Sequence, residues 1–127
     1  MPKPEEINFD FIFEYSKIWK LDISDEEMPI EEFKQNLDIA YLEKEGTDDW
    51  NLTLQELISA PEKQPEHYKK IKNVQMKYPI EIYFFKGSWK ILDGVHRYCR
   101  VIMEGKKTVR VRKVTKEMIL NIFKKSV

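Results

Sequence analysis

The chain has 127 residues, 42% apolar and 35% charged, and its 22 basic and 22 acidic side chains cancel to a net charge of zero. That is one domain's worth of core-forming sequence. No window approaches the roughly 18 uninterrupted apolar residues of a membrane span, and Cys99, the sole cysteine, leaves no partner for an internal disulfide. The opening Met1-Pro2-Lys3-Pro4-Glu5-Glu6 lacks the apolar stretch of a secretory leader, so the expected location is cytoplasmic, with no membrane partner.

The two halves of the chain divide the charge unevenly. Residues 1–64 hold six Lys/Arg and seventeen Asp/Glu, a balance of −11, whereas residues 65–127 hold sixteen and five, a balance of +11. Either the halves attract each other across one fold, or the basic half faces a polyanion such as a nucleotide or nucleic acid. Charge alone leaves both open.

In chain order, Phe11, Tyr15, Ile18 and Trp19 fit a helical stripe, which predicts a helix over 8–19 capped by Asn8 or Asp10. The acidic run 22–27 reads as a connector, and Pro29 to Phe33 as a short strand entering one helical turn. Residues 43–51 carry turn formers and no periodicity, hence a loop. Thr53 with Glu56 forms the signature of a capping box for a helix through Ser59, stopped by Pro61. A further helix spans 65–73, with His67, Lys70 and Lys72 outward and Tyr68 and Ile71 inward.

The remainder is more regular. Residues 79–85 alternate and are rich in β-formers, Lys86-Gly87-Ser88 is a hairpin turn, and residues 89–93 return. Val95 to Glu104 reads as a helix with Val95, Tyr98, Cys99, Ile102 and Met103 inward, and Gly105 as its left-handed stop. Thr108 to Val114 alternates as a third strand, and a last helix starts near Thr115, its apolar residues being Met118, Ile119, Ile122 and Phe123. Hairpin, helix, strand and helix give an α+β (mixed α/β) fold in a single domain over 1–127.

The informative junction is Leu92-Asp93-Gly94-Val95-His96-Arg97-Tyr98. Glycine at a strand-to-helix turn lets backbone approach a ligand without a Cβ in the way. The first helical turn presents unpaired amides and the positive end of the dipole, which bind anions. Arg97 adds a planar fork suited to phosphate oxygens, and His96 a donor that titrates near neutrality. Asp93 has three open roles: orienting His96, capping the helix, or holding Mg²⁺ beside a nucleoside triphosphate. The alternative is ordinary helix punctuation after an Asp-Gly turn.

Pro79-Ile80-Glu81-Ile82, then Trp89 to Tyr98, Gly105 and Val109-Arg110-Val111 together resemble the ParB/sulfiredoxin superfamily over roughly residues 74–114. Pro29 to Phe33 is similar to the family's first strand and turn. Residues 1–22, an N-terminal helical extension atypical of the family, and 43–51 have no counterpart. The resemblance implies a small sheet flanked by helices whose turn binds nucleotide phosphates, adenine nucleotides in sulfiredoxins and free-serine kinases and CTP in ParB proteins. It implies phosphate contacts from Gly94, Val95, His96 and Arg97 and a catalytic role for Asp93 and His96, with Asp93 matching the Asp of the kinase-like Asp-Gly-His-His-Arg turn. Sulfiredoxin's catalytic cysteine falls at Val95, so sulfinic-acid reduction is not expected. The same residue departs from the kinase-like pattern, and ParB's helical DNA-binding domain is not expected in a chain ending at Val127.

By the same resemblance Glu31 and Glu32 sit near the kinase-like members' catalytic carboxylate, where Glu32 would serve as a general base. The bland alternative is a solvated pair. Cys99 reads as packing, His67 as a surface residue, and Arg110, Arg112 and Lys113 as a solvated face. Three functions compete: a nucleotide-dependent NTPase or phosphotransferase, a noncatalytic ParB-like binding module, and a DNA-binding protein or nuclease. Nucleotide is the first partner expected and nucleic acid the second; the oligomeric state is not legible.

Overall fold

In the computed structural model, which describes residues 3–11 and 14–123, four strands among the described residues form one mixed sheet in the order β1-β4-β2-β3. In chain order the elements are α1 (Tyr15–Trp19), β1 (Glu26–Pro29), a 3₁₀ segment (Ile30–Asp38), α2 (Leu54–Ser59), α3 (Pro65–Asn73), β2 (Ile80–Phe85), β3 (Ser88–Asp93), α4 (Val95–Met103), β4 (Thr108–Val114) and α5 (Lys116–Phe123). β2 and β4 run parallel, with β3 and α4 as the crossover, while β1–β4 and β2–β3 are antiparallel. The fold is α+β.

The β2–β3 hairpin closes through Lys86 and Gly87, whose φ of 52° and 84° are both positive, the pair of left-handed residues that a two-residue hairpin turn requires. Beyond the hairpin, β3 carries a bulge. Ile82 faces Ile91 and Glu81 faces Asp93, so Leu92 has no partner across the ladder. The extra residue puts Asp93 on the sheet face that holds Glu81, one residue earlier than strict alternation allows.

Both sheet faces are covered. On one, Ile80, Ile82, Ile91, Val109 and Val111 pack with Phe33, Leu57, Ile71, Tyr98 and Cys99. On the other, Tyr83, Leu92 and Val114 pack with Ile18 of α1 and Ile119 of α5. Asn36, fully buried, donates to the carbonyls of Phe33 and Trp89 and accepts from the Tyr41 hydroxyl, so the 3₁₀ segment is riveted to β3 without an unpaired amide.

The charge asymmetry resolves as attraction between the halves. Arg110 pairs with Asp25 at 2.7 Å, Lys113 with Glu26 at 2.9 Å, Lys116 with Asp10 at 3.2 Å and Lys86 with Glu5 at 3.9 Å. Arg112 donates to the carbonyls of Leu21 and Ile23 and pairs with Glu81. Three of the basic residues expected on a solvated strand face are therefore held by the acidic half and by β2.

Several expectations need correction. The helix over 8–19 is the five-residue α1, preceded by a 3₁₀ turn at Glu5–Ile7; Ile12 and Phe13 lie outside the described residues. The acidic connector contains β1, because Glu26 and Glu27 lie on its exposed positions while Met28 is buried. The expected strand over 29–33 is the end of β1 and the 3₁₀ segment, whose buried Ile30, Phe33 and Asn36 follow a period of three, the period of that helix rather than of a strand. In α4, Met103 is exposed on the flank beside α3 rather than inward as expected, and Val101, packed with the sheet's Ile80 and Val109, is buried instead. His67 is buried as well. The capping box of Thr53 and Glu56, the bounds of α3, and the β4 strand are as expected. The side chains of Ile122 and Phe123 lie outside the description.

Candidate functional site at the start of α4

Gly94 stands at the N-cap of α4 with φ +108°, a conformation that L side chains rarely adopt. A Cβ there would meet Arg97 Nη1 at 3.0 Å and Ile80 Cγ1 at 3.1 Å. Space as well as torsion therefore requires glycine. No side-chain hydrogen bond caps α4, so of the three roles open to Asp93 capping is not the one it takes. The first intrahelical bond is Tyr98 N–H to the Gly94 carbonyl at 2.8 Å, which leaves the amides of Val95, His96 and Arg97 without an intrahelical acceptor. These residues line a cavity of about 290 Å³ whose wall includes Asp93 to Arg97, Lys3, Tyr15, Tyr41 and Trp50.

Arg97 does not point outward. Its Nη1 folds back over Gly94 and donates to the Pro79 carbonyl at 2.7 Å, its guanidinium carbon lies 5.9 Å from the Tyr78 ring centre, and its Nε is buried without a hydrogen-bond partner. Lys3, which no sequence signal marked, adds a cation to the cavity wall, 5.2 Å from the Trp50 ring centre.

His96 is held by a relay. His67 Nε2 lies 2.8 Å from the Glu43 carbonyl and must donate to it, since a carbonyl only accepts. His67 Nδ1 therefore carries the lone pair, and His96 Nε2, 3.1 Å away, donates to it. The neutral His96 ring keeps its lone pair on Nδ1. Burial, and after it the neighbouring His67 and Lys70, pushes its pKa down to about 4. At neutral pH it is a neutral hydrogen-bonding group and not the group titrating near neutrality that the sequence suggests. His67 was read as outward because polar neighbours surround it in sequence; its partner Glu43 comes from a loop 24 positions away, which no local pattern encodes.

Asp93, re-aimed by the bulge, accepts from Trp19 Nε1 at 2.7 Å. Beside it, Glu81 pairs with Arg112 across β2 and β4; burial raises the Glu81 pKa, Arg112 opposes that rise, and Asp93 adds to it. These residues line a second cavity of about 410 Å³, which shares Asp93 and Arg97 with the first.

Glu32 is not brought to this place. It is exposed on the 3₁₀ segment and lines neither cavity, while Glu31 pairs locally with Lys34 at 2.7 Å. The cause is the period-three packing that turns Ile30 and Phe33 inward. Cys99 is fully buried in the core, and burial pushes its thiol up to about 12. Val95 contributes its amide to the turn and its side chain to the main core. Among the described residues, no three His, Cys, Asp or Glu side chains group as a metal cluster.

No family model matches the chain, and no curated protein matches it. Among solved structures, sulfiredoxin from Arabidopsis thaliana is similar, at 21% identity over 78% of this chain and 96% of that one, with a TM-score of 0.34.

Proposed function

We propose that the chain binds a nucleotide of the ATP or CTP type by its phosphates at the start of α4, with Gly94, Val95, His96 and Arg97 as the contacts. The observation that carries this reading is the left-handed Gly94, which opens the unpaired amides and positive dipole of a nine-residue helix onto a cavity walled by two cations, Lys3 and Arg97. Phosphate oxygens need donors and countercharge. The amides supply the first, and the two cations supply the second, since His96 is neutral.

The site also contains the parts of a phosphotransferase or NTPase. His96 Nδ1, left unprotonated by the relay, is an acceptor able to orient a hydroxyl or a water, although its lowered pKa makes it a weak base. Asp93 has one carboxylate oxygen beyond the Trp19 bond, enough to share a Mg²⁺ held mainly by the nucleotide's own phosphates. Bound there, Mg²⁺ supplies charge neutralisation at the transferring phosphoryl group. A noncatalytic binding module is the second reading, and the absence of Glu32 from the cavity favours it. Both predict the same ligand. DNA comes last, because Arg110, Arg112 and Lys113 already hold partners within the fold.

Thermal-shift screening with ATP, ADP, CTP and GTP, with and without Mg²⁺, tests the proposal. A ligand at 100 times its Kd stabilises by about 2.7 kcal/mol. A melting temperature unmoved by all four removes the reading.

A further inference from the structure

The second cavity lies where the amino-terminal segment meets the sheet. Its walls are Trp19 of α1, Tyr78 and Pro79 before β2, Glu81 and Arg112 on neighbouring strands, and the shared Asp93 and Arg97. Two features stand out. Trp19 is 58% exposed and Tyr78 53%, large rings left in solvent at the rim of a charged cavity. Inside, Arg97 Nε is buried with no acceptor, and Asp93 Oδ1 makes no hydrogen bond among the described residues. An orphaned donor and a carboxylate with an oxygen to spare thus belong to residues that line one cavity with two aromatic rings.

We infer that this cavity holds the nucleobase of the nucleotide whose phosphates occupy the start of α4, with Trp19 and Tyr78 as stacking surfaces and Asp93 and Arg97 reading the base edge. The inference rests on the proposed phosphate site, and the shared residues are what connect the two. The volume, about 410 Å³, lies within the range of small-ligand sites. The neighbouring Glu81–Arg112 pair satisfies its own charges, so the two unspent groups are those of Asp93 and Arg97. A carboxylate takes an exocyclic amino group and a guanidinium donates to a ring nitrogen. Adenine and cytosine present that amino-plus-acceptor edge. Uracil offers a carbonyl where the amino group would be, and the carboxylate repels it. Residues 15–19 would then complete a binding site rather than merely cover the sheet.

The experiment compares inorganic tripolyphosphate with ATP, CTP and UTP by calorimetry on the full chain and on Trp19→Ala, Trp19→Phe and Tyr78→Ala. Tripolyphosphate has no base, so it reports the phosphate site alone. The expected result is that the chain binds tripolyphosphate, and binds ATP or CTP more tightly than UTP. Trp19→Ala should lose the nucleotide's advantage by about ten- to a hundredfold, the range for removing one stacked base, while tripolyphosphate binding stays unchanged. Trp19→Phe should restore part of it. If tripolyphosphate and nucleotides bind equally, or if Trp50→Ala in the first cavity removes the advantage while Trp19→Ala does not, the base is not in this cavity and the phosphate reading stands alone. If neither tripolyphosphate nor any nucleotide binds, both fall.

Discussion

His67 Nδ1 lies 3.1 Å from His96 Nε2, with the two rings nearly parallel at 22°, and the Glu43 carbonyl on the far side of His67 fixes which nitrogen holds each proton. Only one proton can lie between the two rings. Charging His96 therefore adds a cation beside His67 and Lys70 in a partly buried place, and its pKa falls to about 4. The unfolded chain titrates near 6.5, so between pH 6.5 and about 4 the unfolded state binds more protons. Above pH 6.5 the neutral ring costs nothing, and folding stability falls progressively as pH drops toward 4. After allowance for solvent screening at the cavity mouth, the loss is about 1–2 kcal/mol. Melting temperatures across that window should drop in the native chain and drop less in His96→Gln; parallel curves would refute the relay.

Gly94 and Gly87 both have positive φ, but nothing lies within 4 Å of a Cβ built on Gly87. Gly87→Ala should cost only the torsional strain, about 1 kcal/mol. Gly94→Ala adds collisions with Arg97 Nη1 and the Ile80 backbone and should cost more, about 2–3 kcal/mol in denaturant unfolding. Equal losses would mean that the turn relaxes freely.

Arg97→Ala should weaken nucleotide binding and also lower stability, because Nη1 holds the Pro79 carbonyl at the entrance to β2. Loss of a hydrogen bond from a charged donor is worth about 1.5–3 kcal/mol. Differential unfolding without ligand separates the two effects. A variant as stable as the native chain would place the guanidinium in solvent rather than on Pro79.

Cys99 should be chemically silent in the native state. Its thiol is fully buried and its pKa is pushed up to about 12, so almost no thiolate exists at neutral pH. Labelling by a thiol reagent should follow the rate of unfolding and speed up in denaturant. Rapid labelling of the folded chain would contradict the core placement.

The parts of this fold written in local chemistry were legible. Thr53 and Glu56 announced a capping box, Lys86-Gly87 a tight hairpin, Gly105 a helix stop, and the alternation of Thr108 to Val114 a strand. Gly94, His96 and Arg97 were legible as a turn for the same reason. What failed depended on distant partners. The bulge at Leu92 has no sequence mark, yet it decides that Asp93 faces Trp19, 74 positions away. The burial of His67 depends on Glu43. Ile30 and Phe33 read as a strand entering a turn because a period of three is indistinct over so few residues.

Everything proposed for this site depends on phosphate binding at the first turn of α4. The most direct measurement is amide chemical-shift mapping by NMR while ATP is titrated into the folded chain. The largest shifts should fall on the backbone amides of Gly94, Val95, His96 and Arg97, with the same amides moved by inorganic tripolyphosphate. Saturating ligand that leaves those four amides unmoved, or that shifts only lysines and arginines elsewhere on the surface, would contradict it.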